Sequence, residues 1–137
     1  MRSTLQVTID CRDPASLAEF WAAALGYEVE APRPADADVV ARRPELAGSW
    51  AAARDPSGAR PRLYFQRVPE PKVAKNRVHL DVGVADMDAE VARLTALGAR
   101  VVRAPEVSAY GETWTVLTDP EGNEFCVQPT GGPSGGV

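Results

Sequence analysis

Asn76-Arg77-Val78-His79-Leu80-Asp81-Val82-Gly83-Val84-Ala85-Asp86 is the segment from which the rest of the chain can be read. Val78, Leu80, Val82 and Val84 alternate with His79, Asp81 and Gly83, the period-two pattern of a half-buried strand. A strand is therefore predicted from Val78 to Val84. Its apolar side meets a core, and His79 and Asp81 turn the other way. His79 is the only histidine in the protein. A helix signal follows. Asp86 is a good N-cap, Met87, Val91, Leu94 and Leu97 form an apolar stripe, and Gly98 stops the helix.

The N-terminal half reads the same way. Leu5, Val7 and Ile9 alternate with Gln6, Thr8 and Asp10. Asp13-Pro14 opens a helix whose stripe is Leu17, Phe20, Trp21, Ala24 and Leu25, and Gly26 closes it. Asp13 and Asp86 are 73 positions apart, and Gly26 and Gly98 are 72 apart. Trp50 stands five positions before Asp55-Pro56-Ser57-Gly58, and Trp114 five before Asp119-Pro120-Glu121-Gly122. These matches make an internal repeat. Each half is strand, helix and three strands, with later strands at 27–30, 50–53 and 62–68, then at 99–103, 112–118 and 124–128. Residues 31–49 are expected to be irregular because of Pro32, Pro34 and Pro44, with a brief pairing at Val39-Val40-Ala41 and one helical turn at 44–47. This insert is either a lid or a tolerated surface loop.

The expected fold is α+β. Two tandem βαβββ modules form a curved, barrel-like mixed sheet with helices outside and a central cleft. A single domain is expected over 1–129, with module one at 1–70, a Pro-stiffened linker at 71–75 and module two at 76–129. A disordered tail is expected at 130–137. The length of 137 residues suits one such core. A net charge of -4 without a basic run argues against nucleic acid as a partner. No apolar run is long enough to span a membrane, and the first residues lack a signal-peptide core, so the cytoplasm is the expected compartment. Cys11 and Cys126 do not read as a disulfide framework.

Alternation also predicts the cleft. Its lining is Gln6, Thr8 and Asp10, then Tyr64 and Gln66, His79 and Asp81, and Cys126 and Gln128. Gln6 matches His79 and Tyr64 matches Cys126 across the repeat. Trp50 and Trp114 stand at matching strand starts, where an indole either stacks on an aromatic ligand or closes a barrel end.

Asp10-Cys11-Arg12-Asp13-Pro14, Phe20-Trp21, Leu25-Gly26-Tyr27, residues 65–72 (Phe65 to Lys72), Asn76-Arg77-Val78-His79-Leu80-Asp81 and residues 119–125 (Asp119 to Phe125) carry a resemblance. Over residues 4–128 the chain resembles the vicinal oxygen chelate superfamily of glyoxalases, bleomycin-resistance proteins and extradiol dioxygenases, and within it the glyoxalase-like proteins. The resemblance implies metal ligands at four positions, typically His or Gln, Glu, His and Glu. Here those positions hold Gln6, Tyr64, His79 and Cys126. Both carboxylates are replaced, so no metal cofactor is expected. If one binds, its ligands are Gln6, His79 and Cys126, with water or Asp81. On the same faces, Asp81 lies two residues beyond His79, roughly 6.5–7 Å at strand rise, and Asp10 four beyond Gln6. Cys126 beside His79 is alternatively a nucleophile, or simply a buried thiol. Two functions stay open: a small-molecule binding protein without the full metal site, or a metal-dependent lyase, isomerase or dioxygenase. The superfamily also implies a homodimer.

Overall fold

The computed structural model describes residues 2–130. The chain divides into two compact units, Met1–Pro71 and Lys72–Val137. Most of the tail expected to be disordered lies outside the described residues.

The first unit runs β1 (Gln6–Cys11), α1 (Pro14–Leu25), β2 (Glu28–Val29), α2 (Pro34–Arg42), a 3₁₀ turn at Pro44–Leu46, β3 (Trp50–Arg54) and β4 (Arg62–Arg67). Its sheet has the order β1-β4-β3-β2, with β1 and β4 parallel and the other pairs antiparallel. The second runs β5 (Asp81–Val84), α3 (Met87–Ala96), β6 (Arg100–Val107), β7 (Thr113–Thr118) and β8 (Glu124–Pro129). Its order, β5-β8-β7-β6 with β5 parallel to β8, is the same topology. The fold is α+β, built from two βαβββ modules with mixed sheets.

Local chemistry explains the helices. Asp13 accepts the Ser16 N–H at 3.2 Å, Pro14 sits in the first turn, and Gly26 leaves α1 with φ 70°, a conformation that favours glycine. Leu17, Phe20 and Trp21 are buried, and α1 packs on β3 and β4. Burying Leu17 and Phe20 stabilises the module by about 1.5–3 kcal/mol each. In the second module Asp86 accepts the Ala89 N–H at 3.0 Å. There the stripe is thinner than predicted: Leu94 is fully buried, Met87 and Val91 are half-buried, and Leu97 is exposed.

Both hairpin turns are organised by a buried aspartate. Asp55 accepts from the Ser57 N–H at 2.9 Å and the Arg60 N–H at 3.0 Å. Asp119 accepts from the N–H groups of Glu121 and Asn123 at 2.9 and 3.0 Å. The aspartates that marked the repeat in sequence thus satisfy turn amides that would otherwise lack partners.

Three expectations need correction. Val39-Val40-Ala41 does not pair in a sheet but lies in α2. Pro34 suits the first helical turn, the Arg33 N–H donates to Asp36 Oδ2 at 2.7 Å, and the Arg33 guanidinium pairs with the same carboxylate. Leu5 lies outside β1 and is 70% exposed. The central strand starts at Asp81 rather than Val78, and Val78 is 81% exposed rather than packed beneath a helix. The cause lies in β8. Glu124 accepts the Asn76 N–H at 2.9 Å and the Lys72 ammonium at 3.1 Å, and Lys72 also donates to the Ala74 carbonyl. The chain from Lys72 to Asn76 is held at the start of β8, and it bends at Arg77 and Val78 before joining the ladder. The backbone joins β8 at Leu80, whose carbonyl accepts the Cys126 N–H at 2.9 Å.

Leu94→Ala is expected to cost about 3 kcal/mol and Leu97→Ala less than about 0.5 kcal/mol. Urea unfolding of both variants measures the contrast, and equal losses would contradict this packing of α3. A second prediction concerns acid. Hydrogen bonds from Ser57 hold the Asp55 carboxyl down at about 2 from 3.8, and the Asn76 N–H and Lys72 hold Glu124 at about 2 from 4.5. Both folded values are depressed. Their contribution to stability is therefore complete above the unfolded values and is lost as pH falls toward about 2. The double variant Asp55→Asn, Glu124→Gln should be less stable at neutral pH and flatter across that window. Parallel stability profiles for wild type and variant would refute the assignment.

Candidate functional site

Parallel pairing sets the side chains of the first module in rows. Gln6 lies opposite Arg62, Thr8 opposite Tyr64 and Asp10 opposite Gln66. Across β3, Trp50 pairs with Gln66 and Ala52 with Tyr64, so Trp50 is the diagonal neighbour of Tyr64 on one face. The two rings stack, with centroids 5.6 Å apart and planes within 6°. Arg62 stands beside them, its guanidinium carbon 5.5 Å from the Tyr64 centroid. Arg62 is fixed on two sides. Nε and Nη2 donate to Glu30 Oε2 at 2.9 and 2.5 Å, and Nη1 donates to Gln6 Oε1 at 2.8 Å.

This face opens into a hollow of about 650 Å³ lined by Glu28, Val29, Glu30, Ala31, Arg33, Trp50, Arg54, Arg62 and Tyr64. Its three arginines each have a carboxylate: Arg62 with Glu30, Arg33 with Asp36 at 2.8 Å, and Arg54 with Glu28 at 3.5 Å. The walls are therefore polar and near charge balance around an aromatic stack.

Of the residues expected to line a cleft, Trp50 and Tyr64 reach this hollow, and Gln6 joins it through Arg62. Thr8, Asp10 and Gln66 share the sheet face but are not among the lining residues. Arg62 was missed, although it stands two residues before Tyr64 and alternation puts it on the same side. Arg54, four residues after Trp50 on β3, carried the same signal, whereas Glu30 and Arg33 lie outside the strands and carried none.

In the second module, Asp81 lies opposite Cys126 and Gly83 opposite Gln128. His79 precedes β5 by two residues, with its Nδ1 3.8 Å from Asp81 Oδ1. Trp114, half-buried, is two residues from Val116, the antiparallel partner of Cys126. One potential ligand atom from each of His79, Asp81 and Cys126 lies within 4.8 Å of the others. Burial pushes the Cys126 thiol upward in pKa and the Asp81 carboxylate adds to the rise, while Arg103 and Lys75 oppose it.

Of the ligand trio expected from sequence, His79 and Cys126 stand together in the second module, and Gln6 belongs to the first. His79 and Cys126 are joined by Asp81. Gln6 Oε1 accepts instead from Arg62, and a guanidinium at that oxygen opposes a second cation there. The hard, carboxylate-rich donor set implied by the resemblance does not fit these residues.

A family model described as a glyoxalase-like domain matches residues 6–128. Solved structures share the fold. A glyoxalase/bleomycin resistance protein/dioxygenase family enzyme from Burkholderia phytofirmans PsJN is 19% identical with a TM-score of 0.66, covering 90% of this chain and 95% of its own. A bleomycin-binding protein in complex with bleomycin is 17% identical with a TM-score of 0.58, covering 93% and 98%. A lactoylglutathione lyase from Agrobacterium tumefaciens is 16% identical with a TM-score of 0.61, covering 100% and 98%. At such identities the likeness is one of fold. No curated protein matches in sequence. No helix among the described residues is long and apolar enough to cross a membrane.

The state of Cys126 can be measured. In metal-free buffer its alkylation by iodoacetamide should follow a pH profile with a midpoint above 9.0. Asp81→Asn should lower that midpoint and raise the rate at pH 7.5 several-fold, because the thiolate is the reactive form. An unchanged profile in the variant would remove Asp81 from the thiol's surroundings.

Proposed function

The chain belongs to the glyoxalase-like domain family, and on that premise we propose that it binds a planar aromatic small molecule in the hollow of the first module. One observation carries this reading: the Trp50–Tyr64 stack, fixed beside an arginine that is itself clamped by Glu30 and Gln6. Flat aromatic faces stacked on each other beside a clamped guanidinium suit a flat ligand, since little side-chain freedom is lost on binding. The hollow's volume of about 650 Å³ lies in the range of small-molecule pockets, roughly 300–1,000 Å³.

The charged rim supplies orientation. Arg62, Arg54 and Arg33 offer N–H donors, and Glu28 and Glu30 offer acceptors. Because the arginines already have partners, a ligand with a balanced set of donors and acceptors is favoured over a highly charged one. The bleomycin-binding protein of the same fold is named for a ligand, and bleomycin heads the panel of probes.

Titrations of intrinsic tryptophan fluorescence and thermal shift with planar heteroaromatic compounds and bleomycin test the reading. At least one compound should stabilise the protein. Trp50→Ala and Tyr64→Ala should each weaken its binding by about tenfold, equivalent to about 1.4 kcal/mol. Trp114→Ala should leave it unchanged. A panel without any stabilising member, or binding indifferent to Trp50 and Tyr64, would overturn the proposal.

A further inference from the structure

We propose, on the reading that the hollow of the first module is a ligand site, that its aromatic ligand carries one carboxylate and that Arg54 selects the ligand by taking that group. Three guanidiniums, those of Arg33, Arg54 and Arg62, line the hollow against two carboxylates, those of Glu28 and Glu30. Asp36, which pairs with Arg33, is not among the lining residues. The lining thus carries one positive charge in excess. One carboxylate on a ligand matches that excess, and a second would overshoot it.

The ladder places the arginines. Ala53 pairs with Leu63 between β3 and β4. Arg54 follows Ala53 and Arg62 precedes Leu63, so the two arginines stand opposite each other where that ladder ends. They share the face that carries Trp50 and Tyr64. Like charges opposite each other across a ladder repel, and an anion between them turns the repulsion into two attractions. Ala52, the partner of Tyr64, stands two residues before Arg54, roughly 6.5–7 Å at strand rise. An aryl carboxylate hydrogen-bonded to a guanidinium covers a distance of that order from its ring.

Existing partners decide which arginine is available. Arg62 spends Nε and Nη2 on Glu30 at 2.9 and 2.5 Å and Nη1 on Gln6 at 2.8 Å. Arg33 holds Asp36 through Nε and Nη2 at 3.3 and 2.8 Å. Arg54 makes one side-chain hydrogen bond among the described residues, Nη2 to Glu28 Oε2 at 3.5 Å, and the two side chains are 58% and 59% exposed. A contact that long and that solvated contributes little, and a guanidinium has more N–H donors than this one uses. Arg54 is therefore the group that turns to a ligand carboxylate and grips it as a fork, while Glu28 turns to water. Arg62 adds a second cation beside it without leaving its clamp.

Paired probes of one shape test this: 2-naphthoate with 2-naphthamide, and anthracene-2-carboxylate with its carboxamide, titrated into the full chain by calorimetry. Each acid should bind at least about tenfold tighter than its amide. Arg54→Gln should bring that ratio close to one. Glu28→Gln, which removes the competitor for Arg54, should raise it about two- to fivefold. High salt should weaken the acids and spare the amides. A merely structural role for Arg54 would weaken both probes together and leave the ratio unchanged. Trp50→Ala should weaken acid and amide alike. Equal thermal unfolding of the variants establishes that they fold. Acids and amides that bind equally, or a ratio that survives in Arg54→Gln, would overturn the carboxylate and leave the aromatic site standing. Binding of bleomycin or of neutral heteroaromatic compounds without any of the acids would do the same. Binding by none of the compounds would overturn both.

Discussion

Pairing the first strand of each module in parallel with its last is the constraint on which the rest depends. Parallel neighbours cannot be joined by a tight turn, so a crossover is required. In each module the chain between those neighbours includes a helix, α1 or α3. In the first module α1 packs against β3 and β4, which commits Leu63 and Phe65 to the core and leaves Gln6, Thr8, Arg62 and Tyr64 on the opposite face. In the second module the same arrangement buries Phe125 and Val127 and leaves Asp81 and Cys126 adjacent. The polar rows are thus a product of topology before any chemistry is assigned to them.

On this shared scaffold the modules diverge by a reversal of charge. Arg62 and Glu124 open the last strands of their modules. Arg62 reaches sideways to Glu30 and Gln6 and fixes a polar wall beside two aromatic rings. Glu124 reaches back to Asn76 and Lys72 and anchors the chain that leads into β5. The same place in the topology therefore organises a hollow in one module and steers the backbone in the other. Asp81 and Cys126 are left on the sheet face opposite Phe125 and Val127, with His79 beside them.

Much of this was legible in the residues. Strand alternation, Asp13 and Asp86 as caps, and the aspartates opening both hairpin turns are local signals, and the repeat doubled each of them. What failed was set by contacts between segments far apart in sequence. Val78 continued a perfect alternation, but the carboxylate of Glu124 holds the preceding chain elsewhere. The Pro-rich segment read as irregular, yet Pro34 and the Arg33–Asp36 pair make a helix of it. At the hollow, Tyr64 was read from the period of two and Trp50 from its place at a strand start, and both line it. The clamp on Arg62 was not legible, because Glu30 is 32 positions away and only the folded sheet edge makes them neighbours. The partner of Gln6 was hidden for a related reason: an oxygen that reads as available in sequence accepts from a guanidinium in space.

The helices α1 and α3 are anchored very unequally. α1 buries Leu17, Ala18, Phe20, Trp21 and further residues, and Arg60 ties its end to the next hairpin by donating to the Leu25 carbonyl at 3.0 Å. α3 buries Leu94 alone. Amide exchange in such a molecule has a built-in order, because local opening begins where few apolar contacts must be broken. α3 would lose protection while α1 still held its own. The sheet beneath α3 keeps its own core of Leu117, Phe125 and Val127, so α3 is the segment of the second module that opens first.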